Sequence, residues 1–116
     1  MAVSITIWHN PRCSKSRQTL ALLRERGIEP QIRLYLKEPP DEAEIRAVQK
    51  MLGLPAIGLA RTKERIFREL GLSKDSPEGE IVRAMAEHPI LIERPIVIAG
   101  ARAALGRPPE AVLEIL

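Results

Sequence analysis

Aromatic residues make up only 3% of this 116-residue chain, and cysteine occurs once, as Cys13. A lone cysteine closes no internal disulfide and builds no multi-cysteine zinc site. That excludes a disulfide-stapled secreted scaffold and leaves any disulfide to form with another molecule. No apolar run approaches the roughly 20 residues needed to cross a bilayer, because Arg, Glu or Pro interrupts each one. Dense basic stretches are missing too. The formal charge of +3 permits nucleic-acid binding in principle, but so few aromatics give no platform for stacked bases, and a surface that favours small anions explains the charge equally well. Internal repeats, low-complexity tracts and flexible linkers are absent from the sequence.

What is present is a chain with 45% apolar and 28% charged residues, ordinary globular proportions at a length suited to one domain with its own core. Met1 to Ile7 has no basic region ahead of a long apolar segment, so it reads as the start of a strand rather than a signal peptide, and a cytoplasmic location is expected.

Val3 to Trp8, β-branched or aromatic with partial alternation, predicts a first strand that ends at His9-Asn10-Pro11, a turn composition. Ser14 to Arg26 then places Leu20, Leu22 and Leu23 among charged residues, an amphipathic helix closed by Gly27. Pro30 to Leu36 alternates as a second strand parallel to the first, with Ile32, Leu34 and Leu36 on one face. Asp41 with Glu44 three residues later is a capping-box start for a helix that runs through Leu52 to Gly53. A further helix is expected over 56–70, and another that Ser76 caps ahead of Pro77 and that ends near His88-Pro89. Ile96 to Ile98 is a third strand, Gly100 begins a turn, Ala101 to Leu105 returns antiparallel, and Pro108 to Leu116 forms a short terminal helix. This order predicts an α/β chain of thioredoxin-like fold. A mixed four-stranded sheet is expected, with a helical insertion over about 41–88 between the second and third strands, in one domain spanning 1–116.

Cys13 falls where the first strand passes into the first helix. Unpaired backbone N–H groups at a helix start favour a thiolate, and a thiol there falls from about 8.5 toward 3.5–7.5. Arg12, Lys15 and Arg17 are expected to add positive charge, and His9, if it lies across the turn, to add charge or donate a hydrogen bond. Ser14 and Ser16 are suited to satisfying free helix amides.

His9-Asn10-Pro11-Arg12-Cys13-Ser14-Lys15-Ser16-Arg17 resembles the active-site loop of the glutaredoxin-dependent arsenate reductases. The likeness continues in order and spacing through Leu34-Tyr35-Leu36 with Pro39-Pro40, Leu70-Gly71-Leu72, the stretch from His88 to Val97, and Arg107-Pro108-Pro109-Glu110. By this resemblance Cys13 is the nucleophile, His9 and Ser16 support it, and Arg61, Arg94 and Arg107 bind the oxyanion. Pro95 is implied as a cis-proline beside the site. An arginine suits that task because its planar fork matches two oxyanion oxygens and stays charged at any working pH.

The chemistry implied is reduction of arsenate to arsenite through a Cys13 thioarsenate adduct. Glutathione is the co-substrate, glutaredoxin the partner, and no cofactor or metal is bound; a monomer is expected, with no nucleic-acid or membrane partner. Without a second cysteine the chain cannot resolve that adduct internally. The chain ends at Leu116, where the best-known members carry a longer tail, so this shorter branch has room for another physiological substrate. Two rival readings stand beside it. One is a general glutathione-linked thiol oxidoreductase. The other is a non-enzymatic regulator of the Spx type that binds RNA polymerase, although its usual Cys-x-x-Cys switch is replaced here by Cys13 and Ser16.

Overall fold

Ile5–Trp8 (β1) is the strand around which the sheet is organised. It pairs in parallel with Gln31–Arg33 (β2), Ile7 opposite Ile32, and antiparallel with Ile96–Ala99 (β3), Ile7 opposite Val97. Gly100, at a left-handed φ of +62°, turns β3 into the antiparallel strand Arg102–Leu105 (β4). The strand order is β2-β1-β3-β4. This computed structural model describes residues 4–116, so Val3, expected to open β1, lies outside the described residues.

Parallel pairing of β1 with β2 requires a crossover, and helix Ser14–Glu25 (α1) supplies it. Its buried stripe is Ser16, Thr19, Leu20 and Leu23, an i, i+3, i+4, i+7 pattern, whereas Leu22 sits half-buried beside it. Hydrophobic periodicity alone missed half of this stripe because two of its members are hydroxyl residues. Both hydroxyls are bonded, Thr19 Oγ1 donating to the Lys15 carbonyl at 2.8 Å, so burying them leaves no orphaned polar atom. Leu20 and Leu23 pack with Ile7, Val97 and Val112 to form the core on which the sheet rests. The mixed sheet with its crossover helix is the expected thioredoxin-like arrangement.

The second strand is shorter than expected, and neither of its faces is fully buried. After Arg33 the chain turns, with the amides of Lys37 and Glu38 both donating to the Leu34 carbonyl at 2.9 Å. Period-two alternation therefore stops, with Tyr35 buried and Leu36 exposed, and Ile32, inside β2, is exposed as well. The terminal segment Pro109–Ile115 is a 3₁₀ helix.

By its internal packing the chain divides into two compact units. One holds the chain up to Glu38 together with Arg94–Leu116, and the other is Pro39–Glu93. In the second unit, Glu42–Leu52 (α2) begins with the predicted capping box, Glu44 N–H donating to Asp41 Oδ1 at 2.8 Å, and ends at Gly53 with φ +67°. The single helix expected over 56–70 is instead two, Ala56–Leu59 (α3) and Arg65–Glu69 (α4). The break has a cause: Ala60 bridges antiparallel to Ile92, Arg61 N–H donates to the Leu91 carbonyl at 2.7 Å, and Glu93 N–H donates to the Leu59 carbonyl at 2.8 Å. Long-range pairing has replaced local helix bonds. Glu78–Glu87 (α5) packs on α2 and α3. Pro77 is its N-cap, one residue later than expected, and Ser76 Oγ instead accepts the Ser73 N–H at 2.9 Å.

Candidate active site

The loop between β1 and α1 is held by its own polar atoms. His9 N–H donates to the Arg33 carbonyl at 2.9 Å, continuing the β1–β2 ladder one residue further. Asn10 Oδ1 accepts the Arg12 N–H and the Asn10 carbonyl accepts the Cys13 N–H, both at 3.0 Å. This is the turn that Asn before Pro favours. Cys13 emerges as the N-cap of α1 with extended backbone, φ −94° and ψ 124°, and its carbonyl takes the Arg17 N–H at 3.0 Å.

At an N-cap the side chain faces the free amides of the first turn. Burial pushes the Cys13 thiol up, but the backbone N–H groups of Ser16 and Lys15 and the hydrogen bond and charge of Arg94 outweigh it, so the thiol lies below its ordinary range. Arg107 adds a further contact, Nη2 standing 3.8 Å from Sγ, while its Nε donates to the Arg94 carbonyl at 2.8 Å. The two arginines are thus tied to each other and to the sulfur. Arg94, remote in sequence, supplies the charge expected of Arg12, Lys15 and Arg17; Arg17 Nη1 donates instead to the Pro11 carbonyl at 2.9 Å.

His9 is buried, and its Nδ1 lies 2.6 Å from Oγ of the fully buried Ser16, which also accepts the Asn10 N–H at 3.0 Å. Burial, with the charges of Arg24 and Arg17, pushes the imidazole below its ordinary pKa, so it is neutral near pH 7. The added positive charge expected of His9 is therefore not available. Its visible role is to fix Ser16, the residue whose amide favours the thiolate.

Pro95 is buried behind a cis Arg94–Pro95 bond, and Gly106 N–H donates to its carbonyl at 2.9 Å. A Cβ on Gly106 would fall 2.5 Å from Thr19 Oγ1 and 2.6 Å from Pro95 Cγ, so only glycine fits without a shift. The Arg107–Pro108 bond is cis as well, a feature the sequence reading did not foresee.

Arg61 lies in the other unit, where its Nη1 meets Glu93 Oε1 at 2.8 Å and its Nε meets Glu64 Oε1 at 3.1 Å. Burial disfavours its charge, but the two carboxylates more than restore it. Neither glutamate was singled out from sequence, since each reads as an ordinary surface charge until the fold brings it to Arg61. Among the described residues no cluster of three or more His, Cys, Asp or Glu side chains is placed to hold a metal, and no helix is long and apolar enough to cross a membrane.

Comparison with known proteins agrees with this fold. The family model described as ArsC matches residues 8–115. The chain belongs to the ArsC family. Among relatives of this ArsC-family protein, one from Haemophilus influenzae named arsenate reductase is 48% identical, the match covering 98% of this chain and 100% of that one. An uncharacterised Escherichia coli protein, YfgD, is 50% identical over 100% of this chain and 99% of its own. A solved structure described as arsenate reductase from Vibrio cholerae superposes with a TM-score of 0.95 at 48% identity, covering 100% of both chains.

Proposed function

We propose that this protein is an arsenate reductase that uses Cys13 as its nucleophile, with glutathione as reductant and glutaredoxin as partner. The observation that carries the reading is the meeting of Cys13 Sγ with Arg107 at 3.8 Å, beside an Arg94 that favours the thiolate. A thiolate facing two guanidinium groups both attacks and attracts a tetrahedral oxyanion. Family membership and the names of the relatives support arsenate as that oxyanion.

In the proposed cycle the Cys13 thiolate displaces one arsenate oxygen, which leaves as water after protonation, and an S–As(V) bond forms. Two external thiols then supply two electrons and depart as a disulfide, and hydrolysis releases arsenite and the thiolate. One arsenate and two thiols give one arsenite, one disulfide and one water. With a single cysteine in the chain, both electrons come from outside, the role assigned to glutathione and glutaredoxin. Cys13, Arg94 and Arg107 belong to one chain, so a monomer suffices.

The test is arsenate-dependent NADPH oxidation with glutathione, glutaredoxin and glutathione reductase, comparing wild type with Cys13→Ser. A rate that requires both arsenate and Cys13 establishes the activity. Turnover of mixed glutathione disulfides without arsenate would replace it by general thiol oxidoreduction.

A further inference from the structure

β3 and β4 pair as far as Ile96 opposite Leu105. The same register continued sets Pro95 opposite Gly106 and Arg94 opposite Arg107, and Gly106 N–H donates to the Pro95 carbonyl at 2.9 Å. Proline has no N–H to return, so this pair keeps one backbone bond where an antiparallel hydrogen-bonded pair has two. Beyond it two like charges stand opposite each other, an arrangement that favours splaying. Arg107 nevertheless stays close enough to bond the Arg94 carbonyl and to reach Sγ of Cys13. The packing of Gly106 supplies the missing constraint. Gly106 is buried, and the place of its absent Cβ is 2.5 Å from Thr19 Oγ1 on α1 and 2.6 Å from Pro95 Cγ. Neither neighbour yields cheaply, because Thr19 is fully buried with Oγ1 fastened to the Lys15 carbonyl, and the Pro95 ring is buried too.

We propose that Gly106, seated on Thr19, is a positioning residue for the oxyanion reaction: its missing side chain lets α1 and the end of β4 close to the distance at which Arg107 meets the Cys13 sulfur. The inference rests on the proposed reading of Arg107 as an oxyanion ligand beside that sulfur. Non-bonded carbons rest about 3.5–4.0 Å apart, so a methyl group at position 106 displaces a neighbour by about 1 Å. β4 is an edge strand and is the part freest to move, and Arg107 is the residue that moves with Gly106. Arg94 instead adjoins β3, which is held between β1 and β4, and it stays with Cys13. The groups that lower the Cys13 thiol are the first-turn amides and Arg94. The displacement therefore separates two properties: the positive charge that Arg107 brings to the sulfur falls, while the titration of the thiol holds.

The experiment is alkylation of Cys13 by iodoacetate, an anion, and by iodoacetamide, its neutral analogue, in wild type, Gly106→Ala and Arg107→Ala. The ratio of the two rates reads the positive charge at the sulfur and is independent of the thiolate fraction. Arg107→Ala should lower the ratio about fivefold, the effect of one charge about 4 Å away in water-like surroundings, and Gly106→Ala about two- to threefold. KM for arsenate should rise about tenfold in Gly106→Ala, within the cost of a misplacement of about 1 Å, and the pH midpoint of iodoacetamide alkylation should be unchanged. Thr19→Ile, which adds bulk from the helix side, should reproduce this split, and Thr19→Ser, which keeps Oγ1, should match wild type; these two carry the test if Gly106→Ala does not fold. A folded Gly106→Ala or Thr19→Ile protein with the wild-type ratio would overturn the proposal. So would a midpoint displaced as far as in Arg94→Ala, the mark of a site disturbed as a whole. The ratio requires no arsenate, so a ratio that falls as expected in a protein that does not turn over arsenate keeps the positioning role and removes only the arsenate reading.

Discussion

Oγ of Ser16 stands 2.6 Å from Nδ1 of His9, and both residues are buried. The hydroxyl also accepts the Asn10 N–H, so its own proton is best spent on Nδ1, which places the ring proton on Nε2 and keeps the imidazole neutral. Through this bond the end of β1 is fastened to the first turn of α1, on either side of Cys13.

Ser16→Ala should therefore leave the buried His9 Nδ1 and the half-buried Asn10 N–H without their partner and cost about 1–3 kcal/mol of stability. It should also slow alkylation of Cys13 at neutral pH as the first turn loosens. Denaturant melts and iodoacetamide kinetics read the two effects, and unchanged values in both would remove the fastening role.

Cys13 should alkylate with a pH midpoint below that of an ordinary thiol, about 8.5. Burial opposes this, so the shift depends on the first-turn amides and on Arg94. Arg94→Ala should move the midpoint upward and Arg107→Ala should raise KM for arsenate, whereas Cys13→Ser should abolish turnover. A midpoint in Arg94→Ala equal to that of wild type would contradict the assignment.

His9 has a folded pKa below its unfolded value of about 6.5. The unfolded chain then binds more protons around that pH, so stability is fully present above about 6.5 and is lost as the pH falls toward the folded pKa. His9→Gln should flatten that part of the curve, measured as the urea midpoint from pH 7.5 to 5. An equal slope in the variant would assign the dependence to other groups.

Arg61→Ala leaves Glu64 and Glu93 facing each other, with side chains only 27% and 23% exposed. A loss of about 1–2 kcal/mol is expected, below the figure for a fully buried pair because water still reaches these groups. Comparing thermal melts with KM for arsenate separates a clasp from an oxyanion ligand. A fall in stability with KM unchanged identifies the clasp.

Much of the fold is legible in local chemistry. The Asp41–Glu44 capping box, the left-handed glycine at Gly53 and the β1–turn–α1 passage through Asn10-Pro11 each depend on residues within a few positions of one another, so propensity and spacing suffice. Cys13 at a helix start belongs to the same class, and its place as nucleophile candidate came directly from its neighbours in sequence.

Long-range contacts decided the rest. The helix expected over 56–70 gave way because Ala60 found Ile92, and the alternation after Arg33 failed because the chain turned at Leu34. Cys13 draws its charge from Arg94, 81 positions along the chain, rather than from the basic residues beside it. Sequence by itself determined which residue types stand at each element's ends and that one thiol is present. Only the tertiary structure decided which cations meet that thiol and which are held by carboxylates, because a charge acts over a few ångströms of space, a distance that separation along the chain does not specify.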